Sequence, residues 1–288
     1  MYNLVVRKLQ KISQRVIQME LSRGTKQVMV ILALGVMFSF FGMVQSSQAA
    51  AADNPVQLHK AEINYFTERG VIYGYNVQGY VTVDNSQTIG DVSVTYTYDY
   101  NNWDLSQAKF VGRTEGKELW YFETARKDVQ PYKYFNYDCQ FAVKCENNGQ
   151  VYWDNNGGQD YLLQHKVVGS ERVNKPHLLA ETNVAVDNIN QYYADREQTD
   201  IYLRGDMILK NLAYDKEVKV IYTTDNWETR QEVAASYGSS YDNDLEDWNF
   251  KIEDVAAGTT VKYLAAYKVD GTTYWDTGFN QAYEFKVE

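Results

Sequence analysis

Residues 261–276 read VKYLAAYKVDGTTYWD, and this stretch decides the fold. From Val261 to Val269 apolar residues recur at every second position, as in a β-strand with one buried face. An Asp-Gly turn follows, and such turns join neighbouring antiparallel strands. The stretch therefore predicts a β-hairpin whose second strand ends on a Tyr-Trp-Asp motif.

The same motifs occur twice in the chain. Residues 141–154 read FAVKCENNGQVYWD, and a second motif recurs as VSVTYTYDYNNW at residues 92–103 and as VKVIYTTDNW at residues 218–227. The copies lie about 122 to 126 residues apart. A self-similar period of this size predicts two similar folding units, and two like sites on one chain suggest a binding protein.

The rest of the sequence favours an all-β fold. Strand-like segments alternate with hairpin signals, only 3 prolines occur, and no long amphipathic helix is found. We therefore predict two tandem antiparallel immunoglobulin-like β-sandwiches after an N-terminal export signal. The predicted divisions are a signal peptide at residues 1–52, a first module at 53–166, a polar linker at 167–175 and a second module at 176–288.

The N-terminus has the order of a secretory signal. Residues 1–27 carry six basic side chains against one acidic one, residues 28–44 are apolar, and small residues follow. This order predicts cleavage after Ala49 or Ala52. An uncleaved membrane anchor is the alternative, because 17 apolar residues lie at the lower limit for a span. We expect a secreted or cell-surface protein with no stable membrane insertion after cleavage.

The charge balance excludes one class of partner. Removing residues 1–52 takes six basic and one acidic residue from the 28 and 38 of the chain, which leaves a net charge of about −15. A polyanion would be repelled, and no basic run offsets this charge, so we expect no nucleic acid partner. A neutral ligand is indifferent to the sign.

The metal-ligating residue types are few. Cys139 and Cys145 lie on one face of a predicted strand, too far apart to bridge each other, and are predicted to be buried free thiols; metal binding is the alternative. The three histidines, His59, His165 and His177, have no metal-like spacing and are expected at the surface. We predict no metal and no cofactor.

The aromatic residues carry the functional signal. The chain has 25 Tyr, 11 Phe and 6 Trp, and several of them fall in loops beside Asp and Asn. A sugar ring presents C–H groups on its faces and hydroxyls around its edge, so its site needs a flat aromatic surface and in-plane amides or carboxylates. Trp120 and Trp248 differ from the loop tryptophans, since they lie in strand-like segments with apolar neighbours and are predicted to be core.

Three segments carry a family resemblance. LRGDMILKNLAYDKEVKVIYTTDNWETRQEVAASY at residues 203–237, DWNFKI at 247–252 and YLAAYKVDGTTYWD at 263–276 resemble the family 21 carbohydrate-binding modules. These are the starch-binding domains of fungal glucoamylases and the glycogen-binding domains of phosphatase-1 targeting subunits. The first repeat is similar through TYTYDYNNW, LWYFE and FAVKCENNGQVYWDNNGG. The resemblance implies α-glucan ligands: starch, glycogen and malto-oligosaccharides.

The resemblance also implies which residues bind sugar. In the family, the Trp of the DNW segment stacks on glucose together with the aromatic and the asparagines of the YWDNN segment, and a second site uses two further aromatics. The implied carbohydrate-binding positions are Trp103, Trp153, Asn155 and Asn156 in the first unit, and Tyr214, Trp227, Tyr237 and Trp275 in the second.

Both units depart from the family pattern. In the first unit Thr88 takes the place of Tyr214, and Phe110 is the candidate counterpart of Tyr237. In the second unit DTGFNQAY replaces DNNGGQDY, so Asn280 or Gln281 would have to supply the missing amides.

No catalytic residue is predicted. The chain contains no GxSxG elbow, phosphate-binding loop or dinucleotide motif, and the two repeats use nearly all the mature length. The alternatives are a small secreted α-glucan-active glycoside hydrolase and an accessory subunit of an amylase, which leaves an amylolytic enzyme as a candidate partner. A phosphatase glycogen-targeting subunit is disfavoured by the export signal. The acidic residues 242–247 leave a calcium site as a further alternative.

Overall fold

A computed structural model describes the fold of residues 54–84, 90–114, 116–130, 136–147, 149–166 and 173–288. The described elements are β-strands joined by turns, with one 3-10 turn at Asn156–Gly158. All described strand pairs are antiparallel, so the all-β prediction is confirmed. The predicted signal peptide lies outside the described residues. In the described part of the chain, no helix is long and apolar enough to cross a membrane.

The N-terminal sandwich, residues 56–179, consists of two sheets. Its described strands are β1 (Val56–Glu68), β2 (Val71–Asp84), β3 (Asp91–Thr97), β4 (Asp104–Gln107), β5 (Lys109–Thr114), β6 (Lys117–Glu123), β7 (Lys127–Asp128), β8 (Asn136–Asn147), β9 (Gln150–Asp154), β10 (Tyr161–Lys166), β11 (Asn174–Lys175) and β12 (His177–Leu179). Sheet 1 has the order β12-β1-β2-β6-β5, with β7 paired to β2. Sheet 2 has the order β11-β10-β8-β3-β4, with β9 paired to β8.

The C-terminal sandwich, residues 184–286, also consists of two sheets. Its strands are β13 (Val184–Tyr193), β14 (Ile201–Lys210), β15 (Lys216–Thr223), β16 (Gln231–Ala234), β17 (Ser236–Ser240), β18 (Leu245–Ile252), β19 (Thr260–Val269), β20 (Thr272–Asp276) and β21 (Tyr283–Lys286). Sheet 3 has the order β13-β14-β18-β17. Sheet 4 has the order β16-β15-β19-β20, with β21 paired to β19.

Alternation along the central strands builds each core. On β8 the side chains of Tyr137, Cys139, Phe141, Val143 and Cys145 are all buried in one cluster with residues of sheet 1. Successive side chains of a strand point to opposite faces, so the residues between them face outward from the sandwich. The prediction of two buried free thiols on one strand face is confirmed. The strand β19 does the same for the C-terminal core, from Val261 to Val269.

Two glycines let strands approach closely at matching places. A Cβ atom on Gly79 would lie 2.4 Å from the Lys60 carbonyl oxygen, and one on Gly205 would lie 2.5 Å from the Asn188 carbonyl oxygen. Each glycine also faces a buried phenylalanine of the neighbouring strand, at 2.8 Å or less. No side chain fits at either position, which explains glycine inside a strand.

The segment between the sandwiches is not free. Strand β11 pairs with β10 in sheet 2, β12 pairs with β1 in sheet 1, and the Pro176 carbonyl accepts a hydrogen bond from the Ile63 amide at 2.8 Å. The described end of the predicted linker, Asn174–Lys175, is therefore a strand. A small apolar cluster of Leu179, Ala185, Ile208 and Leu245 then joins the two sandwiches. Pro55–Glu288 forms one compact unit.

Candidate functional site

The six tryptophans fall into two groups by their surroundings. Trp103, Trp153, Trp227 and Trp275 are exposed by 39 to 50%. Trp120 and Trp248 are half-buried against the two cores, and each donates its indole N–H to a glutamate two residues earlier. The prediction that this pair supports the core is confirmed. The first group presents four broad aromatic surfaces to solvent.

Trp275 lies on the outward face of sheet 4. It pairs across strands with Ala266 on β19, whose neighbours Ala265 and Tyr267 point into the core. The next residue, Asp276, accepts hydrogen bonds from the Val186 amide at 2.7 Å and from the Tyr283 hydroxyl. Its carboxylate therefore holds the end of β20 in place beneath the exposed indole.

Trp227 stands in the loop between β15 and β16 in a strained conformation. Its φ is +72°, a region that bulky residues rarely enter, and Asn226 before it has φ +57°. The loop is held by Thr223, whose hydroxyl accepts from the Trp227 amide at 3.0 Å, and by Asp225, which accepts from Thr229. Hydrogen bonds from Thr223 and Thr229 lower the pKa of Asp225 to about 2. Strain of this kind concentrates at functional sites.

Trp103 and Trp153 are the counterparts in the N-terminal sandwich. Trp153 lies opposite Lys144, on the outward face of sheet 2, and Trp103 immediately precedes β4. The Asp99 carboxylate accepts from the amides of Asn101 and Asn102 and fixes the loop before Trp103. The same loop exposes Tyr100, which the sequence analysis did not single out.

The two predicted amides help to hold their own loop. The Asn155 side-chain oxygen accepts from the Gly158 amide at 3.1 Å, and the Asn156 side-chain nitrogen donates to the Asp160 carbonyl at 3.2 Å. Asn156 is exposed and Asn155 is half-buried. One polar atom of each amide thus shapes the turn behind Trp153.

Tyr214 and Tyr237, the other two predicted positions, lie on another part of the C-terminal sandwich. Tyr214 is 97% exposed in the turn between β14 and β15. Tyr237, on edge strand β17, is 54% exposed and contacts Trp248 edge to face, with ring centroids 6.1 Å apart. Phe110 contacts Trp120 in the same way at 5.6 Å, which supports its equivalence to Tyr237. Thr88 lies outside the described residues.

The fold therefore groups the predicted positions in pairs. Trp227 lies in the loop after β15 and Trp275 on β20, both strands of sheet 4. Trp103 directly precedes β4 and Trp153 lies on β9, both strands of sheet 2. Through Ala266, Trp275 is level with Lys219 on β15, four residues before Thr223, whose hydroxyl accepts from the Trp227 amide. Tyr237 belongs to sheet 3 and forms no part of the Trp227 and Trp275 surface.

The loop that departs from the family pattern contacts the other sandwich. Phe279 has φ +61° where its counterpart Gly157 has φ +68°, so a bulky residue occupies a conformation suited to glycine. Its ring packs against His59 at 5.1 Å and Tyr80 at 5.3 Å between centroids. The strain is offset by this contact, which the sequence analysis missed because it joins residues about 200 positions apart.

Titratable groups concentrate at the same junction. His177 Nδ1 lies 3.7 Å from a Glu62 oxygen and 3.9 Å from an Asp187 oxygen, and the His177 side chain is only 17% exposed. Burial raises the pKa of Glu62, but hydrogen bonds from His177 and Gln78 outweigh it, and the pKa falls to about 2. Among the described residues, these three form the one group that could hold a metal ion.

The expectation of surface histidines is wrong. His59 bonds to Glu181 at 3.1 Å with its side chain 21% exposed, and burial lowers the pKa of His165, which bonds to the Tyr65 hydroxyl. The reason is that the segments around His59 and His177 are covered by the second sandwich. The acidic turn at residues 242–247 serves this junction too, since Asp242 accepts from the Asn174 amide at 2.8 Å.

The C-terminal part of the chain matches a known protein family. Residues 179–287 match the sequence model of the carbohydrate/starch-binding module (family 21). The match contains Tyr214, Trp227, Tyr237 and Trp275 and supports carbohydrate binding by this part of the chain. It does not extend over the N-terminal sandwich. No curated protein matches the sequence.

Several solved structures are similar to parts of the chain. The starch-binding domain of Rhizopus oryzae glucoamylase, in complex with beta-cyclodextrin and maltoheptaose, is 22% identical, covers 42% of this chain and 99% of its own, and has a TM-score of 0.30. The carbohydrate-binding module of the muscle glycogen-targeting subunit of protein phosphatase-1 is 18% identical. It covers 36% of this chain and 74% of its own, with a TM-score of 0.29. A purple acid phosphatase from yellow lupin (Lupinus luteus) seeds is 11% identical. It covers 80% of this chain and 41% of its own, with a TM-score of 0.28.

Proposed function

We propose that this chain is an exported, non-catalytic protein that binds α-1,4-glucans such as starch and glycogen. The observation that carries the proposal is Trp275, a half-exposed indole on the outward face of sheet 4 within the residues that match family 21. Trp227 adds a second exposed indole, in the loop that follows β15 of the same sheet. Aromatic side chains offer large flat contact area at low cost in rotamer entropy, which suits sugar faces.

The proposal includes two immunoglobulin-like modules of the same kind in tandem, with a polymer bound through both. Matching features of the N-terminal sandwich support this. The order β1-β2-β6-β5 of sheet 1 corresponds to β13-β14-β18-β17 of sheet 3. Asp154 accepts from the Leu58 amide at 2.6 Å, as Asp276 does from Val186, and Trp153 precedes the one as Trp275 precedes the other. On this basis Trp103, Trp153, Asn155 and Asn156 form a first glucan site.

The chemistry of the two sites favours a coiled, uncharged polymer. An α-1,4-glucan coils, so stacking groups need not be coplanar to follow it, whereas a crystalline cellulose surface requires a coplanar row of rings. The net charge of about −15 after residue 52 does not oppose a neutral ligand. Export through the N-terminal segment would place the protein with extracellular glucan, where an amylolytic enzyme is a candidate partner.

Co-sedimentation tests the proposal. The protein is expected to pull down with granular starch and to be retarded in gels that contain amylopectin or glycogen, but to stay in solution with microcrystalline cellulose. Reducing-sugar release from soluble starch should stay at the level of the buffer blank. Equal retention on cellulose would overturn the ligand class, and sugar release would overturn the non-catalytic assignment.

A further inference from the structure

A groove of about 330 Å³ lies where the two sandwiches meet. We call it the junction groove and define it by His59, Thr82, Lys117, Glu181, Trp275 and Asn280. The first three residues belong to the N-terminal sandwich, Glu181 to the segment between the sandwiches, and the last two to the C-terminal sandwich. Its volume is at the lower end of ligand pockets, roughly 300–1,000 Å³.

The groove combines an aromatic surface with charged groups held in fixed positions. Glu181 accepts from the Thr82 hydroxyl at 2.7 Å, bonds to His59 and pairs with Lys117. The Lys117 side chain is 40% exposed. A carboxylate and an ammonium beside a half-exposed indole supply the hydroxyl acceptors, the hydroxyl donors and the stacking surface that a sugar chain requires.

Trp275 also borders a second depression. On the outward face of sheet 4, an open space of about 340 Å³ is lined by Trp275 together with Lys219, Glu232 and Thr273. The indole therefore stands between two polar depressions, one on its own sheet and one shared with the N-terminal sandwich. A chain that stacks on Trp275 and continues past it enters the junction groove.

The walls of the groove are fixed relative to each other. Phe279 packs on His59 and Tyr80, and the Lys210 ammonium donates to the Ala180 carbonyl at 2.8 Å. The amides of Ala180 and Glu181 donate to the carbonyls of His59 and Leu58, both at 3.1 Å. These contacts fasten the segment that carries Glu181 to both sandwiches, and Glu181 in turn pairs with Lys117.

We propose that one glucan chain crosses from the C-terminal to the N-terminal sandwich, stacked on Trp275 and hydrogen-bonded through its next glucose units to Lys117 and Glu181. The ligand class is an uncharged α-1,4-linked malto-oligosaccharide longer than the unit that covers Trp275. This inference rests on the proposed function, and adds that the second sandwich uses the first as part of its site.

Amide chemical shifts test the inference directly. The protein is titrated with maltoheptaose, and the signals of Lys117, Glu181 and Asn280 are expected to move together with the Trp275 indole signal. In Trp275→Ala, the Lys117 and Glu181 signals should no longer move. If maltoheptaose moves the signals of Trp227 and Trp275 but not those of Lys117 and Glu181, the inference is wrong while the proposed function stands. If no signal moves, the proposed function itself fails.

A matched pair of lysine variants provides a second measurement. Lys117→Ala is expected to lower the affinity for maltoheptaose about fivefold, the effect of losing a partly exposed charged hydrogen bond. Lys109→Ala is the control, because Lys109 lies in the same sheet, has 74% of its side chain exposed and pairs only loosely with Glu123 at 3.9 Å. Equal affinities for the two variants, each with its melting temperature checked, would overturn the inference.

Discussion

Tryptophans that stack on a ligand and tryptophans that support a core differ in what surrounds their indole rings. Trp227 is 39% exposed in a polar loop, whereas Trp248 packs on the C-terminal core and donates its N–H to the buried Glu246 at 2.9 Å. Trp227→Ala should weaken glucan binding by about 1–3 kcal/mol, by analogy with bases stacked on aromatic side chains. Its melting temperature should stay within a few degrees of the parent.

Trp248→Ala is the contrasting variant. Loss of a packed indole and of its bond to a buried carboxylate should cost ~3 kcal/mol of unfolding free energy, at the lower end of the range for Trp→Ala because the ring is half-buried. Calorimetry and isothermal titration on both variants separate the two effects. Identical behaviour of the two variants would show that the division of tryptophans is wrong.

A second residue-scale prediction concerns close strand approach. Gly205→Ala places a Cβ atom 2.5 Å from the Asn188 carbonyl oxygen and 2.4 Å from the Phe250 ring, so the strands must separate. We expect a loss of about 1–3 kcal/mol in unfolding free energy from this overpacking, measured by urea denaturation. Gly112→Ala is the control, because nothing lies within 4 Å of its Cβ position. A stability unchanged in Gly205→Ala would contradict the register of β13, β14 and β18.

Glu181 predicts a pH effect. Burial raises the pKa of this carboxyl, but hydrogen bonds from His59, Lys117 and Thr82 outweigh burial and lower it to about 2. Because folding lowers this pKa, the ionised carboxylate stabilises the fold at pH values above its unfolded pKa of about 4.5. That stabilisation is lost as the pH falls toward the folded pKa of about 2. The melting temperature of Glu181→Gln should therefore fall less between pH 4.5 and 2 than that of the parent or of Glu123→Gln, an exposed control.

At the scale of elements, the loop between β20 and β21 contacts the N-terminal sandwich through Phe279. It keeps the backbone of the loop after β9, with positive φ at four matching positions, yet it carries Phe279 in place of a glycine. Phe279→Gly should speed hydrogen exchange at the Ala180 and Glu181 amides, because the contact that fixes the junction is lost. Phe110→Ala, at an exposed sheet edge, should leave those amides unchanged, and equal exchange in all three proteins would argue against a fixed junction.

Much of the element structure could be predicted from the sequence. The alternation of apolar residues with other residues along β8 and β19 correctly predicted these strands and the buried cysteines. The polar residues around Trp103 and Trp227 correctly indicated exposed indoles. The junction could not be predicted, since its contacts join residues that are far apart in the chain. Glu62, His177 and Asp187 meet only when β1, β12 and β13 are assembled, and no local pattern indicates that meeting.

At the scale of the whole molecule, the segment that connects the sandwiches is itself part of the N-terminal one. Strand β12 completes sheet 1, and Leu178 packs against the N-terminal core. A fragment of residues 53–166 lacks this strand and Glu181, so it should melt at a lower temperature than a fragment of residues 53–182. Thermal unfolding by circular dichroism decides this, and equal melting temperatures would show that β12 adds nothing to the N-terminal sandwich.

The central claim is that the four exposed indoles bind α-glucan while the two half-buried, core-packed ones do not, and the indole N–H signals of the six tryptophans test it in one experiment. On titration with maltoheptaose, the signals of Trp227 and Trp275 should shift in a saturable way, those of Trp103 and Trp153 should follow if the first site binds, and those of Trp120 and Trp248 should stay in place. Cellohexaose should move none of them. Absence of shifts at Trp227 and Trp275 with maltoheptaose, or equal shifts with cellohexaose, would contradict the account.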